Sequence, residues 1–96
     1  MAYELADVED RNRQSPDTFR IPEADDRDNV PIGAYVKLIF NEAERMWVKL
    51  HRRICIDEKI VYVGELANDP VIVTELTAGD EVTFEPKHIC DIREPE

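Results

Sequence analysis

Apolar and polar residues alternate along the middle of this chain with a period of two, the spacing of a strand with one face in a core. Ala34 to Phe40 is β-branched and aromatic-rich, and Met46 to Ile56 is a long alternating run. In that run Met46, Val48, Leu50, Ile54 and Ile56 fall on one parity, and Trp47, Lys49, His51 and Arg53 on the other. Arg52 breaks the apolar parity, which predicts a bulge or bend near it. Ile60 to Leu66 reads as the next strand and Val71 to Leu76 as a short one. Val82 to Phe84 then leads into His88 to Ile92. Asn41 to Glu44, Asp57 to Lys59, Asn68-Asp69-Pro70 and Ala78-Gly79-Asp80 separate them as turns, since Asn and Asp bond their own backbone and Pro fixes φ.

The first third is different in kind. Its apolar residues are sparse, and Pro16, Pro22 and Pro31 break it into short pieces. Ser15-Pro16-Asp17 predicts a helix start, with Ser as cap and Pro at the first helical position. Ile21-Pro22 stops it, because the residue before proline is pushed toward extended geometry. A second helical turn is expected over Glu23 to Asn29. Phe19 and Ile21 are the residues expected to hold this arm on the domain.

About five short strands without a long helix predict a mainly β (β-rich α+β) chain. The expected form is a small antiparallel five-stranded SH3-like barrel or roll, with an N-terminal arm containing one or two short helices. Residues 1–30 form the arm packed on the domain, and residues 31–96 the small β-barrel. The alternative is an α+β fold in which the arm's helix covers one sheet face.

Length and charge narrow the function classes. Ninety-six residues make one small domain, and twelve Lys+Arg against twenty-two Asp+Glu give a formal charge of −10. Residues 1–30 hold nine acids and four bases, and residues 31–96 thirteen and eight, so the surplus is not a tail. No apolar run approaches the ~20 residues of a membrane span. The first ten residues carry four acids and no base, the reverse of a secretory leader. Cys55 and Cys90 are a single pair, read as reduced thiols of a cytoplasmic protein rather than as a secreted scaffold.

Several words occur in a recognisable order: Pro16-Asp17-Thr18-Phe19, Val36-Lys37-Leu38-Ile39-Phe40, Met46-Trp47-Val48-Lys49, Asn68-Asp69-Pro70, Gly79-Asp80-Glu81-Val82-Thr83-Phe84 and His88-Ile89. Together they resemble the YegJ-like family of small bacterial domains, over roughly Arg13 to Ile92. The resemblance implies a compact β-rich bacterial domain, often found alone, and supplies no activity and no catalytic residues. The basic run His51-Arg52-Arg53 and the Cys in His88-Ile89-Cys90 depart from the family pattern.

Catalytic and metal constellations are weak. Ser15 is the only serine and reads as a helix cap. Cys55 or Cys90 beside His51 or His88 is conceivable, but a reactive thiol needs access and a lowered pKa, and buried structural cysteines are the simpler reading. His51, Cys55, His88 and Cys90 supply the ligand count of a structural zinc site without its spacing. Whether the cysteines are structural, paired or metal-binding stays open at this level. Gly33, Gly64 and Gly79 make no phosphate-cradling motif.

Two surfaces stand out. Trp47, Lys49, His51 and Arg53, extended by Lys37, form an aromatic–basic stripe if Met46, Val48 and Leu50 fill the core. Trp and Arg are favoured interface anchors, whereas the net charge opposes polyanions. The second surface is the acidic run Asp25, Asp26 and Asp28. The expectation is a non-enzymatic, cofactor-free and metal-free protein-interaction module of the bacterial cytoplasm, a monomer or homodimer, binding neither nucleic acid nor membrane. In one version it is an acidic inhibitor, of immunity or phage counter-defence type, that blocks a nucleic-acid-processing or toxic protein. The alternative is a small-molecule-binding or enzymatic domain with a pocket near Asn68, Asp69 and His88. A further expectation is dimerisation through Val71 to Leu76 as an exposed edge strand.

Overall fold

Five antiparallel strands form one sheet in the order β4-β3-β2-β1-β5: β1 Tyr35–Phe40, β2 Glu44–Ile56, β3 Lys59–Leu66, β4 Glu81–Phe84 and β5 Asp91–Arg93. Two short helices, α1 Val8–Gln14 and α2 Ala24–Asp28, precede the sheet, and a 3-10 turn, Pro86–His88, separates β4 from β5. This computed structural model describes residues 3–95; Met1 and Ala2 of the predicted arm and Glu96 of the predicted barrel lie outside the described residues. The mainly β, five-stranded antiparallel expectation is met. No helix among the described residues is long and apolar enough to cross a membrane.

The alternation read from the sequence builds the core face. Val36, Leu38 and Phe40 of β1 meet Met46, Val48 and Leu50 of β2, with Tyr62 and Leu66 of β3 and Val82 and Phe84 of β4 beside them. Val30, Ala34, Val73, Leu76 and Ile89 close this core from the connections. The Asn41 and Asp57-Glu58 turns take left-handed backbone at Asn41, Glu42, Asp57 and Glu58, the geometry that tight hairpins require.

The predicted bulge is present, and it changes which residues share a face. Leu50 pairs with Gly64 but Arg52 pairs with Val63, so His51 is the extra residue. Beyond it Arg53 stands opposite Tyr62, and Ile54 opposite Val61. The single parity expected from Met46 to Ile56 therefore fails at His51: Ile54 is only half-buried and Ile56 is 60% exposed. Gly64 sits hard against β2 at Val48 and Lys49. A Cβ there would stand 2.5 Å from the Lys49 carbonyl oxygen, too close for any other residue without a shift.

Three other expectations are corrected. Ser15 ends α1 rather than starting a helix: its N–H donates to the Arg11 carbonyl, and the N-cap is Asp7, whose carboxylate accepts from the Asp10 N–H. The acids Glu9 and Asp10 in the first turn and Arg11 and Arg13 in the last suit the helix dipole. Val71 to Leu76 is a loop, which leaves β4 and β5 as the sheet edges. Its backbone bonds go to the Glu44 carboxylate instead, which accepts from the N–H groups of Val71, Ile72 and Val73 at 2.8, 2.8 and 2.9 Å. Cys55 is exposed rather than buried, because it lies beyond the bulge at the hairpin's end. The helical turn expected over Glu23 to Asn29 is α2.

Candidate functional site

The sheet face away from the core is organised in rows by strand register. One row crosses all five strands: Arg93, Tyr35, Lys49, Glu65 and Glu81. The next holds Asp91, Lys37 and Trp47, and a third holds Ile39 and Arg45. The arm packs on the third row and borders the second, where Thr18, Phe19 and Arg20 line a cleft with Lys37 and Asp91. Ile39 packs with Ala6 and Val8, and Phe19 and Ile21 lie against that cluster as the sequence predicts.

Arg27 holds the cover in place and is the one buried charged side chain among the described residues, at 6% exposure. Its guanidinium donates to Glu9 of α1, to the Pro22 carbonyl at 2.9 Å and to the Pro86 carbonyl at 3.3 Å. The Tyr62 hydroxyl, in the core, donates to the Arg27 carbonyl at 2.6 Å and accepts from the Val30 N–H at 3.3 Å. Nothing in the sequence around Arg27 distinguished it from a solvated base in an acidic run. Its role depends on partners from Glu9 to Pro86.

Trp47 is half-buried on the uncovered part. Lys37 Nζ lies 4.9 Å and the Arg93 guanidinium 4.8 Å from its ring centroid, within cation–π range. Its backbone N–H donates to the Asn68 side chain at 2.5 Å and its carbonyl accepts from the Ala67 N–H, which fixes the strand that carries it. Tyr35, Trp47, Ala67 and Arg93 line a shallow cleft of ≈ 190 Å³.

The predicted stripe is thus partly assembled. Trp47, Lys49 and Lys37 share this face, joined by Tyr35 and Arg93, which the sequence reading did not single out. His51, in the bulge, has its Nε2 3.4 Å from Glu65. Arg53 leaves the stripe, since the extra residue turns it to the other face, where its Nε donates to the Asp28 carbonyl at 3.0 Å. Asp25 and Asp26 are exposed on α2, and Asp28 is half-buried.

Asn68, Asp69 and His88 do not converge. Asn68 and Asp69 follow the end of β3, whereas His88 closes the 3-10 turn whose neighbour Glu85 meets Lys59 at the start of β3. His88 Nδ1 accepts from the Glu85 N–H at 3.0 Å, and burial pushes its pKa below the ordinary 6.5. Cys90 is half-buried, its Sγ donating to the Lys37 carbonyl at 3.2 Å. Burial pushes this thiol up, against the pull of Arg45 and Lys37. His51, Cys55, His88 and Cys90 sit in four different surroundings, and no group of three metal-ligating side chains gathers among the described residues. No family model matches the chain, and no curated protein or solved structure does either.

Proposed function

We propose that this protein is a non-enzymatic protein-interaction module of the bacterial cytoplasm, built as a small SH3-like roll, that grips a partner protein around Trp47. The strand order β4-β3-β2-β1-β5 and the 3-10 turn before the last strand support the roll. The observation that carries the binding reading is the stack of Lys37, Trp47 and Arg93 on a sheet face that the arm leaves open. Trp and Arg most often anchor interfaces, and side chains already stacked lose less freedom on binding. The stack itself carries two cations, Lys37 and Arg93, within an acidic protein, so it suits an acidic group on the partner surface.

The test is capture from bacterial lysate with nuclease, at low and high salt, comparing wild type with Trp47→Ala and Arg93→Glu. One stoichiometric protein held by wild type and lost by both variants is the expected result. Retention by both variants, or no partner under any condition, overturns the reading. A second reading is an acidic inhibitor of a nucleic-acid-processing or toxic protein. It rests on Asp25 and Asp26, exposed on α2 without an ion pair among the described residues. In that case Asp25→Lys with Asp26→Lys, and not Trp47→Ala, releases the partner.

A further inference from the structure

The cations of this molecule divide into two groups. Arg11, Arg13, Arg27, Arg52 and Lys59 each pair with a carboxylate. The other seven, Arg20, Lys37 and Arg45 among them, pair with none among the described residues, although acids outnumber bases twenty-two to twelve. Arg20, Lys37 and Arg45 come together: they line one cleft of ≈ 190 Å³ between the arm and the sheet, with Thr18, Phe19, Cys90 and Asp91. Lys37 and Arg45 stand on neighbouring rows of β1 and β2, and Asp91 is opposite Lys37 on β5. The aromatic rings orient the two strand-borne cations: Lys37 lies over Trp47, and the Arg45 guanidinium is 5.9 Å from the Phe19 centroid. One oxygen of Asp91 already accepts the Ile92 N–H at 2.8 Å.

We propose that this cleft is a binding site for a phosphate monoester dianion, held by Arg20, Lys37 and Arg45 with the Thr18 hydroxyl as a further donor. Three cations against one carboxylate leave two positive charges gathered in a small volume. A carboxylate neutralises one of them, whereas a phosphate monoester near neutral pH carries about two negative charges and at least three acceptor oxygens. The rest of the surface selects a compact ligand over a long one, because a protein of net charge −10 repels an extended polyanion. The site adjoins the Trp47 face through Lys37 but does not depend on its role, since Arg45 and Arg20 take no part in the Trp47 stack. The phosphate belongs either to a phosphorylated side chain of a partner or to a free small phosphomonoester.

Trp47 is the only tryptophan, so its fluorescence reports displacement of the Lys37 ammonium from its ring. The wild-type chain is titrated with inorganic phosphate, phosphoserine and a phosphoserine peptide, at matched ionic strength, with chloride and an oligonucleotide as comparisons. A saturable change is expected with the phosphates, weakening from about pH 8 to about pH 5 as the dianion takes a proton near pH 6. Arg45→Gln and Arg20→Gln, both exposed positions, are each expected to weaken it about tenfold, the worth of one charged hydrogen bond. Tighter binding of the peptide than of phosphoserine assigns the ligand to a partner's phosphorylated side chain; equal binding assigns it to a free phosphomonoester. Alkylation of Cys90, which lines the cleft, should slow with ligand while the exposed Cys55 reacts unchanged. A response equal to that with chloride, one unaltered in both glutamine variants, or tighter binding of the oligonucleotide overturns the proposal. Arg93→Glu separates the two readings, since it is expected to abolish capture of the protein partner while the phosphate response persists.

Discussion

The outer face of the sheet has two ends made from the same strands and treated differently. At the Ile39 end the arm lies across β1 and β2, and two of its arginines are tied down, Arg11 to Glu42 and Arg27 to Glu9, while Arg45 lies over Phe19. The Trp47 end lies outside that apolar cluster, and Lys37 and Arg93 rest on an aromatic ring instead of on carboxylates. Both ends contain an apolar centre and nearby bases. What separates them is the apolar cover, together with the counter-charges of Arg11 and Arg27 that come with the arm. Where the chain supplies both, the surface becomes packing; where, among the described residues, it withholds counter-charges, as at Lys37, Arg45 and Arg93, the surface stays available to something else.

Breaking the covered end should have the largest effect. Arg27→Ala leaves Glu9 and the Pro22 and Pro86 carbonyls without their donor, and a loss of about 3 kcal/mol is expected by urea unfolding. The arm should at the same time become sensitive to proteolysis. A cost below about 1 kcal/mol would mean that apolar contacts of Phe19 and Ile21 hold the arm without it.

The open end should respond weakly by the same measurement. Trp47→Ala removes a half-buried ring and two cation–π contacts, worth about 1–2 kcal/mol together. A loss as large as that of Arg27→Ala would place Trp47 among the residues that hold the fold and erase the contrast.

Acid should expose the smallest difference. His88 is neutral in the folded protein, with its Nδ1 accepting the Glu85 N–H. Burial lowers its pKa, and the neighbouring Lys87 assists, while Glu85, Asp7 and Glu9 oppose. The unfolded chain therefore takes up a proton near pH 6.5 that the folded chain refuses. That contribution is complete above the unfolded value and is lost as pH falls through the folded one. Glu44 obeys the same sign at lower pH, because the N–H groups of Val73, Val71 and Ile72 stabilise its carboxylate. His88→Gln should flatten only the upper part of a stability–pH curve, and Glu44→Gln only the lower. A single unaltered profile in both variants would show that neither group is linked to folding.

Strand residues whose burial follows from alternation were legible in the sequence: the core set from Val36 to Leu50, the hairpin turns, and the bulge itself. The consequence of the bulge was harder to see. One added residue at His51 reverses the faces beyond it, so the apolar rule that holds at Leu50 fails at Ile54 and places Arg53 against α2. Helix α1 was missed because Ser15-Pro16 carries a strong start signal, and it competed with the weaker Asp7 cap actually used. Of the candidate site, Trp47, Lys49 and Lys37 were legible from one strand pair. Tyr35 shares the parity of Lys37 in that pair but carried no charge to draw notice, and Arg93 was not legible, because β5 reaches β1 only through a pairing distant in sequence.

The Glu44 carboxylate gives the loop after β3 a shape that its own residues do not specify. Its three backbone contacts span sequence separations of 27, 28 and 29 residues, and they hold Val71 and Ile72 outward at 82% and 60% exposure. That loop is therefore not a portable module. Grafted onto another scaffold it would carry its letters without its conformation, and drift within it is constrained by one acid in a distant hairpin.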